Sequence, residues 1–317
     1  MNNIKEIGFY TLSDERAKVA SSTTPLHRCE LLLTKRCNFK CPYCRGVGPE
    51  KETTLDEAKN VVLEWSKCGL KNVRFSGGEP TIWNGLEELI KYTKSLNVER
   101  IAISTNGSAQ TEFYQKLINA GVNDFSISLD ACCATMGDMM AGVKDKWITV
   151  INNIKYVSKL TYTTVGVVLT NDNVNELSGI INFAYDMGVS DIRIISAAQI
   201  DYLKLNANIN ENVLNKCKIL KYRLDNLKNN RYVRGIQASD YHKCPLVLDD
   251  MAVMDGKHYP CIIYMREGGK YIGNVGPEMR NERKQWFETT DTSKDPICKK
   301  NCLDVCIDYN NKWKCFH

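Results

Sequence analysis

Three cysteines stand together at Cys37, Cys41 and Cys44 in the pattern C-x3-C-x2-C. One loop of that spacing can wrap three thiolates around a soft metal centre, either a zinc ion or an iron–sulfur cluster. Zinc would want a fourth ligand close by, and Arg45-Gly46-Val47-Gly48 offers none. A second group follows far along the chain: Cys244 and Cys261 flank Gly256 as C-x11-G-x4-C, and then come Cys298, Cys302, Cys306 and Cys315. The glycine provides the positive φ that a hairpin between two ligands requires. There are 14 cysteines in 317 residues, and the N-terminus MNNIKEIGFY lacks a basic-then-apolar export signal. The protein is therefore expected in the cytoplasm, where thiols stay reduced and serve metal binding or catalysis.

The cysteines need elements to hold them. Apolar runs at 30–34, 72–76, 100–104, 124–129, 163–169 and 191–196 read as strands separated by amphipathic helical stretches. Thr54 and Glu57 form a capping box ahead of a helix over 55–68, and Gly69, Gly121 and Gly188 close three helices. Six βα units in succession imply a parallel sheet with all strand C-termini on one edge. Six are too few for a closed eight-stranded barrel, so the expected fold class is α/β, an open, partial (β/α)6 TIM-like barrel whose strand-end loops carry the chemistry. The expected division is an N-terminal extension over 1–28, the partial barrel over 29–200, a connecting helical segment over 201–240 and a cysteine-rich part over 241–317. That last part has few apolar residues and needs a staple to fold.

Composition narrows the partners. Lys+Arg 42 against Asp+Glu 37 leaves +5, interspersed along the chain, so neither a nucleic-acid stripe nor an acid-seeking tail is visible. No run approaches the ~20 apolar residues of a membrane span.

With an aromatic residue before its third cysteine, the first cluster resembles the signature of the radical S-adenosylmethionine (SAM) superfamily. The resemblance implies a [4Fe–4S] cluster on Cys37, Cys41 and Cys44 with one iron open to the amino and carboxylate groups of SAM. It further implies reductive cleavage of SAM to methionine and a 5′-deoxyadenosyl radical that abstracts hydrogen from substrate. Ser76-Gly77-Gly78-Glu79-Pro80 is similar to the GGE motif of that family, which places Gly77, Gly78 and the Glu79 carboxylate at the SAM ammonium. Ser104 and Asn106 after the third strand, and Ser128 after the fourth, stand where related enzymes touch the ribose and the methionine carboxylate. Tyr43 is expected to offer its backbone to the adenine, and Val168 and Ser196 to complete the adenosine pocket.

The C-terminal pattern resembles the SPASM/twitch auxiliary-cluster domain but departs from a full SPASM domain. The closing series is C-x3-C-x3-C followed by Cys315, in place of C-x2-C-x5-C-x3-C and a last cysteine. Two saturated clusters would need eight ligands, whereas Cys244, Cys261, Cys298, Cys302, Cys306 and Cys315 are six. One auxiliary [4Fe–4S] cluster is the first expectation, and two incompletely ligated clusters the alternative.

For the substrate, the short stretch before the first strand leaves no room for a leader-binding module of about 50 residues, which favours a small molecule over a peptide. Compact radical SAM enzymes with small substrates include sugar dehydrogenases, nucleotide cyclases and the queuine lyases of queuosine salvage. Chain size, Lys/Asn-rich composition and the run from Thr34 to Gly46 point to queuine, cleaved to 7-aminomethyl-7-deazaguanine. Glu30, Asp130, Asn171 and Asp201 are the candidate substrate-binding residues. Cys132 and Cys133 could donate hydrogen to a product radical, although packing explains them as well. Cys29, Cys68 and Cys217 read as small buried side chains, and no histidine stands in a metal-binding pair. A flavodoxin- or ferredoxin-type reductant is implied as electron donor. Two alternatives stay open: a peptide-modifying enzyme, and a non-enzymatic iron–sulfur or zinc protein.

Overall fold

The computed structural model describes residues 14–197 and 209–317. After α1 (Asp14–Val19) the chain alternates strictly: β1 (Arg28–Thr34), α2 (Leu55–Lys67), β2 (Asn72–Gly77), α3 (Leu86–Ser95), β3 (Arg100–Thr105), α4 (Thr111–Ala120), β4 (Asp124–Ser128). Next come α5 (Ala134–Ala141), α6 (Trp147–Val157), β5 (Tyr162–Leu169), α7 (Leu177–Asp186) and β6 (Asp191–Ser196). All six strands pair in parallel with their sequence neighbours. The capping box forms as expected: Thr54 N donates to Glu57 at 2.7 Å, and Glu57 N donates to the Thr54 hydroxyl at 3.2 Å.

Residue alternation decides which face each side chain occupies. Leu31, Leu33, Val73, Phe75, Ile101, Ile103, Phe125, Ile127, Val165, Val167, Ile192 and Ile194 belong to one apolar core with the helices. Their alternate neighbours Glu30, Arg74, Ser76, Ser104, Ser128 and Arg193 line a cavity on the other face. The concave side of the sheet is thus polar, where a barrel closed around its own side chains would carry branched aliphatics. Deep burial holds the outer layer together, and Trp65 of α2 has no exposed surface.

Past residue 209 come α8 (Glu211–Lys216), α9 (Lys218–Lys228), β7 (Asp250–Met254), β8 (Lys257–Tyr259), α10 (Ile262–Arg266), β9 (Gly273–Asn274), α11 (Met279–Thr289), α12 (Pro296–Asn301) and α13 (Asp304–Phe316). β7 pairs in parallel with β1, and β8 and β9 continue antiparallel, giving one sheet ordered β6-β5-β4-β3-β2-β1-β7-β8-β9. Its edge strands β6 and β9 are not neighbours in that order, so the arc is open. The 241–317 part therefore shares a sheet with the partial barrel. Asp255 and Gly256 join β7 to β8 as a two-residue turn with φ of 53° and 67°, the hairpin geometry that Asp-Gly favours.

Buried ions fasten this half to the barrel. Arg283 of α11 donates to the Val247 carbonyl at 2.7 Å and to the Tyr259 carbonyl at 3.0 Å, and its guanidinium lies over the Trp65 ring. Arg16 of α1 reaches Asp249, which also lies 3.6 Å from Arg28 of β1. α1 rests on α13: Ala17 and Ala20 pack with Leu246 and Tyr309, and the Trp313 indole donates to the Ala20 carbonyl at 2.6 Å.

Candidate active site and metal centres

The loop after β1 carries Cys37, Cys41 and Cys44 onto the wall of a cavity of about 350 Å³ at the C-terminal edge of the sheet. Several anchors from different elements hold that loop. The Asn38 amide donates to Ser108 at 2.8 Å, while the Asn106 amide donates to Asn38 at 2.8 Å and approaches Cys37 Sγ at 3.9 Å. Lys40 N donates to the Ala141 carbonyl at 2.9 Å at the end of α5. The Tyr43 hydroxyl donates to Asp130 beyond β4, and Arg45 pairs with Glu267 just after α10.

Gly77 and Gly78 bring the β2 turn against the β1 backbone. Gly77 has φ of 134°, and a Cβ on Gly78 would stand 2.1 Å from the Arg36 carbonyl oxygen. Gly78 N and Glu79 N donate to the Thr34 and Arg36 carbonyls at 2.7 and 2.8 Å, which fixes the turn; an ammonium donates, so only the carbonyls of the turn can receive it.

Glu79 differs from expectation. It has no exposed surface, and its carboxylate accepts from Thr81 N at 3.0 Å, the Thr81 and Thr105 hydroxyls at 2.7 Å each, and Asn106 N at 2.7 Å. Burial pushes its pKa up, and the donors pull it back. Through these bonds Glu79 bolts the end of β2 to the end of β3 and fixes Asn106.

The remaining sequence candidates divide. Tyr43, Gly77, Gly78, Ser104, Asn106, Ser128 and Val168 line the cavity with the three cysteines, as do Glu30 and Asp130. Ser196 does not; alternation turns its neighbour Ile195 inward instead. Asn171 is exposed and away from the cavity, and the buried amide nearby is Asn173, which donates to the Asp130 and Val168 carbonyls at 3.0 and 2.9 Å. Asp201 lies outside the described residues. Cys132 packs partly buried against the main core and Cys133 precedes α5 in an exposed position, so neither reaches the cavity wall. Asp130 is committed on both oxygens, to Tyr43 and to Val168 N at 2.7 Å. Burial pushes its carboxyl up to about 6.

Sequence reasoning missed the arginines. Arg74, Arg193, Arg223 and Arg266 all line the cavity. A signal existed for two of them, in the alternation of NVRFS and DIRIIS, where an arginine stands at an inward position of a strand.

The second cysteine group resolves into five and one. The thiols of Cys261, Cys298, Cys302 and Cys306 are each pushed up by burial and by neighbouring cysteines of this group, Cys244 among them in every case. Burial is the largest cause; it pushes Cys261 up to about 12 and Cys302 and Cys306 well above the thiol range. Cys298 and Cys302 sit at the start and end of α12, and Cys306 in the first turn of α13. The joint is clipped by Gly235 N and Asp304 N, which bond the Cys302 and Val233 carbonyls at 2.9 Å each. Cys315 stands apart. Nine residues of helix put it about 13 Å beyond Cys306 on the opposite face, where it is exposed and bonds its own helix at the Asn311 carbonyl.

The donor sets can be tested for fit. Among the described residues no three Cys, His, Asp or Glu side chains converge tightly enough to share one metal ion. A [4Fe–4S] cluster asks for something else, one thiolate for each of several irons, and both groups supply cysteines in the needed number.

The fold and site together define an open parallel α/β arc with a three-cysteine loop at the C-terminal edge of its strands. Residues 31–184 match the radical SAM superfamily model, whose members use a [4Fe–4S] cluster and SAM. A probable GTP 3′,8-cyclase of Sulfurisphaera tokodaii is 29% identical over 201 residues, 62% of this chain and 64% of that protein. The GTP 3′,8-cyclase of Tolumonas auensis is 28% identical over 161 residues, 48% of each chain. The chain thus spans between about half and two thirds of the length of these relatives. Among solved structures, Streptococcus suis SuiB bound to SAM has a TM-score of 0.60 at 16% identity, covering 87% of this chain and 67% of that one. Native anSMEcpe with bound SAM has 0.60 at 15%, covering 92% and 96%. These two share the fold.

Proposed function

We propose that the protein is a radical SAM enzyme acting on a small polar molecule held between the concave face of the sheet and α10. The observation that carries this reading is the cavity itself, with Cys37, Cys41 and Cys44 on one wall, a polar strand face beneath, and Ile262, Ile263 and Arg266 of α10 opposite. Cys37, Cys41 and Cys44 would hold the SAM-binding cluster, and four of Cys244, Cys261, Cys298, Cys302 and Cys306 an auxiliary one in a SPASM/twitch-type part. When bound, cluster and SAM together supply the hydrogen-abstracting radical. The residues of the chain orient them: Asn38, Tyr43 and Arg45 hold the loop, and Glu79 holds the β2 and β3 ends. A reducing cytoplasm and a flavodoxin- or ferredoxin-type reductant complete the reading.

Queuine is the first compound to try, because Glu30, with the Ser76 hydroxyl donating to it at 2.9 Å, offers an acceptor suited to a guanine-like N–H edge. A nucleotide is the second, favoured by the GTP 3′,8-cyclase relatives. The test is anaerobic reconstitution followed by reduction with SAM and each compound. The reading expects 5′-deoxyadenosine formation that one of them accelerates. No SAM cleavage by iron-replete protein would overturn the radical reading, and acceleration by peptide alone would overturn the small substrate.

A further inference from the structure

We propose that Arg283 is the counter-ion of the auxiliary cluster, a fixed positive charge that raises its reduction potential; this rests on the reading above that the enclosed cysteine group holds a [4Fe–4S] centre. Arg283 stands on α11 with no exposed surface, its guanidinium carbon 5.9 Å from the centre of the Trp65 ring. Two pairs of carbonyls hold it. Val247 and Asp250, which follow Cys244, accept from Nε at 2.7 Å and from Nη2. Tyr259 and Pro260, which lead into Cys261, accept from Nη1 at 3.0 Å and from Nη2 at 3.3 Å. The guanidinium thus lies between the chain leaving one ligand and the chain entering the next, and Val247 N in turn bonds the Cys244 carbonyl at 3.1 Å.

The remaining donor meets a neutral base. Nη1 lies 3.1 Å from Nδ1 of His258, whose Nε2 is 2.8 Å from Glu282. A guanidinium can only donate, so Nδ1 accepts and the ring proton sits on Nε2 toward Glu282. Burial, aided by Arg283, pushes His258 down to about 3, so the ring carries no charge. Every N–H of Arg283 is therefore used on a carbonyl or an imidazole, and among the described residues no carboxylate forms an ion pair with it.

A buried charge is costly unless an opposite charge compensates it. Burial lowers Arg283 to about 10, while Asp250, Cys244, Cys29 and Cys261 act in the other direction. Cys244 and Cys261 belong to the enclosed group. A four-thiolate [4Fe–4S] centre is an anion in both of its oxidation states and gains a further negative charge on reduction. In a low-dielectric interior a fixed cation beside it favours the reduced state and moves the potential upward. The Asp250 carboxylate works in the opposite sense on Cys261 and Cys306, and Arg283 offsets it.

The test is a mediated redox titration, followed by EPR and visible absorption, of the reconstituted full chain carrying Cys37→Ala, Cys41→Ala and Cys44→Ala, in which the auxiliary centre stands alone. Arg283→Gln should move the reduction equilibrium about tenfold toward the oxidised cluster, a fall of about 59 mV for one electron. Arg283→Lys keeps the charge and gives up the planar fork, so its equilibrium should stay within about twofold of the parent's. Both variants should lower Tm, since each leaves buried carbonyls without a donor; the potential separates charge from packing. If Arg283→Gln loses its iron, Arg283→Lys decides. Iron retained at the parent potential supports the counter-ion, and iron lost from both variants reduces Arg283 to a clamp and overturns it. An unmoved potential in Arg283→Gln, or an equal fall in both variants, overturns it as well. Absence of iron from the cysteine-substituted chain with Arg283 intact overturns the auxiliary-cluster reading and this inference together, whereas full iron with unmoved potentials overturns this inference alone.

Discussion

The two cysteine groups sit in opposite environments. Cys37 and Cys44 are exposed at the rim of a cavity, and hydrogen bonds from strand and helix ends position their loop. Cys244, Cys261, Cys298, Cys302 and Cys306 are partly buried between a hairpin and two short helices, and packing positions them. An open rim suits a centre that must admit SAM and substrate, whereas an enclosed group suits a centre that must stay fully ligated. The difference teaches that one chain can use the same ligand type for access in one place and for cohesion in another.

The comparison breaks most visibly in the enclosed group. Cys302→Ala and Cys306→Ala should each lose the auxiliary iron and lower Tm by several degrees, since the C-terminal part has little apolar core of its own. Cys315→Ala should change neither. Iron analysis and thermal melts decide it, and an effect of Cys315→Ala equal to that of Cys302→Ala would contradict the five-and-one division.

At the open group, Glu79→Gln should cost about 2 kcal/mol, because a buried acceptor of four donors is replaced by an amide that offers a donor to Asn106 N. A fall in Tm on the order of 5 °C should appear even without SAM. A variant with unchanged Tm and weakened SAM binding would restore the direct ammonium contact. Tyr43→Phe removes the bond to Asp130 and should slow SAM cleavage up to about tenfold with iron content kept. Lost iron would show that the hydroxyl is needed to hold the cluster, not to orient it.

A further effect is in acid. Burial and Arg283 lower His258 to about 3 from 6.5. The unfolded chain therefore binds this proton first, and the stability contributed by neutral His258 is present above about pH 6.5 and lost as pH falls toward 3. Chemical denaturation from pH 7 to 4 should show a shallower decline in His258→Gln than in the parent, and equal slopes would rule the effect out.

Much of this was legible in sequence because alternation and spacing are local. The period-2 strands, the Thr54 capping box, the cysteine loop and the Asp-Gly hairpin each follow from neighbours in the chain. Other features depend on distant partners. No local pattern says that β7 lies beside β1, that α1 rests on α13, or that Glu79 turns to Thr105 and Asn106. Cys315 could have been separated from its group by helical geometry alone, since nine residues reverse the face. Ser196 was misplaced by one residue, enough in a strand to reverse its side.

The most direct test of two separate centres is iron counting on the reconstituted Cys37→Ala, Cys41→Ala, Cys44→Ala variant beside the parent chain. The account predicts about eight irons in the parent and about four in the variant, with no 5′-deoxyadenosine from the latter. Near zero iron in the variant, or retained SAM cleavage, would contradict it.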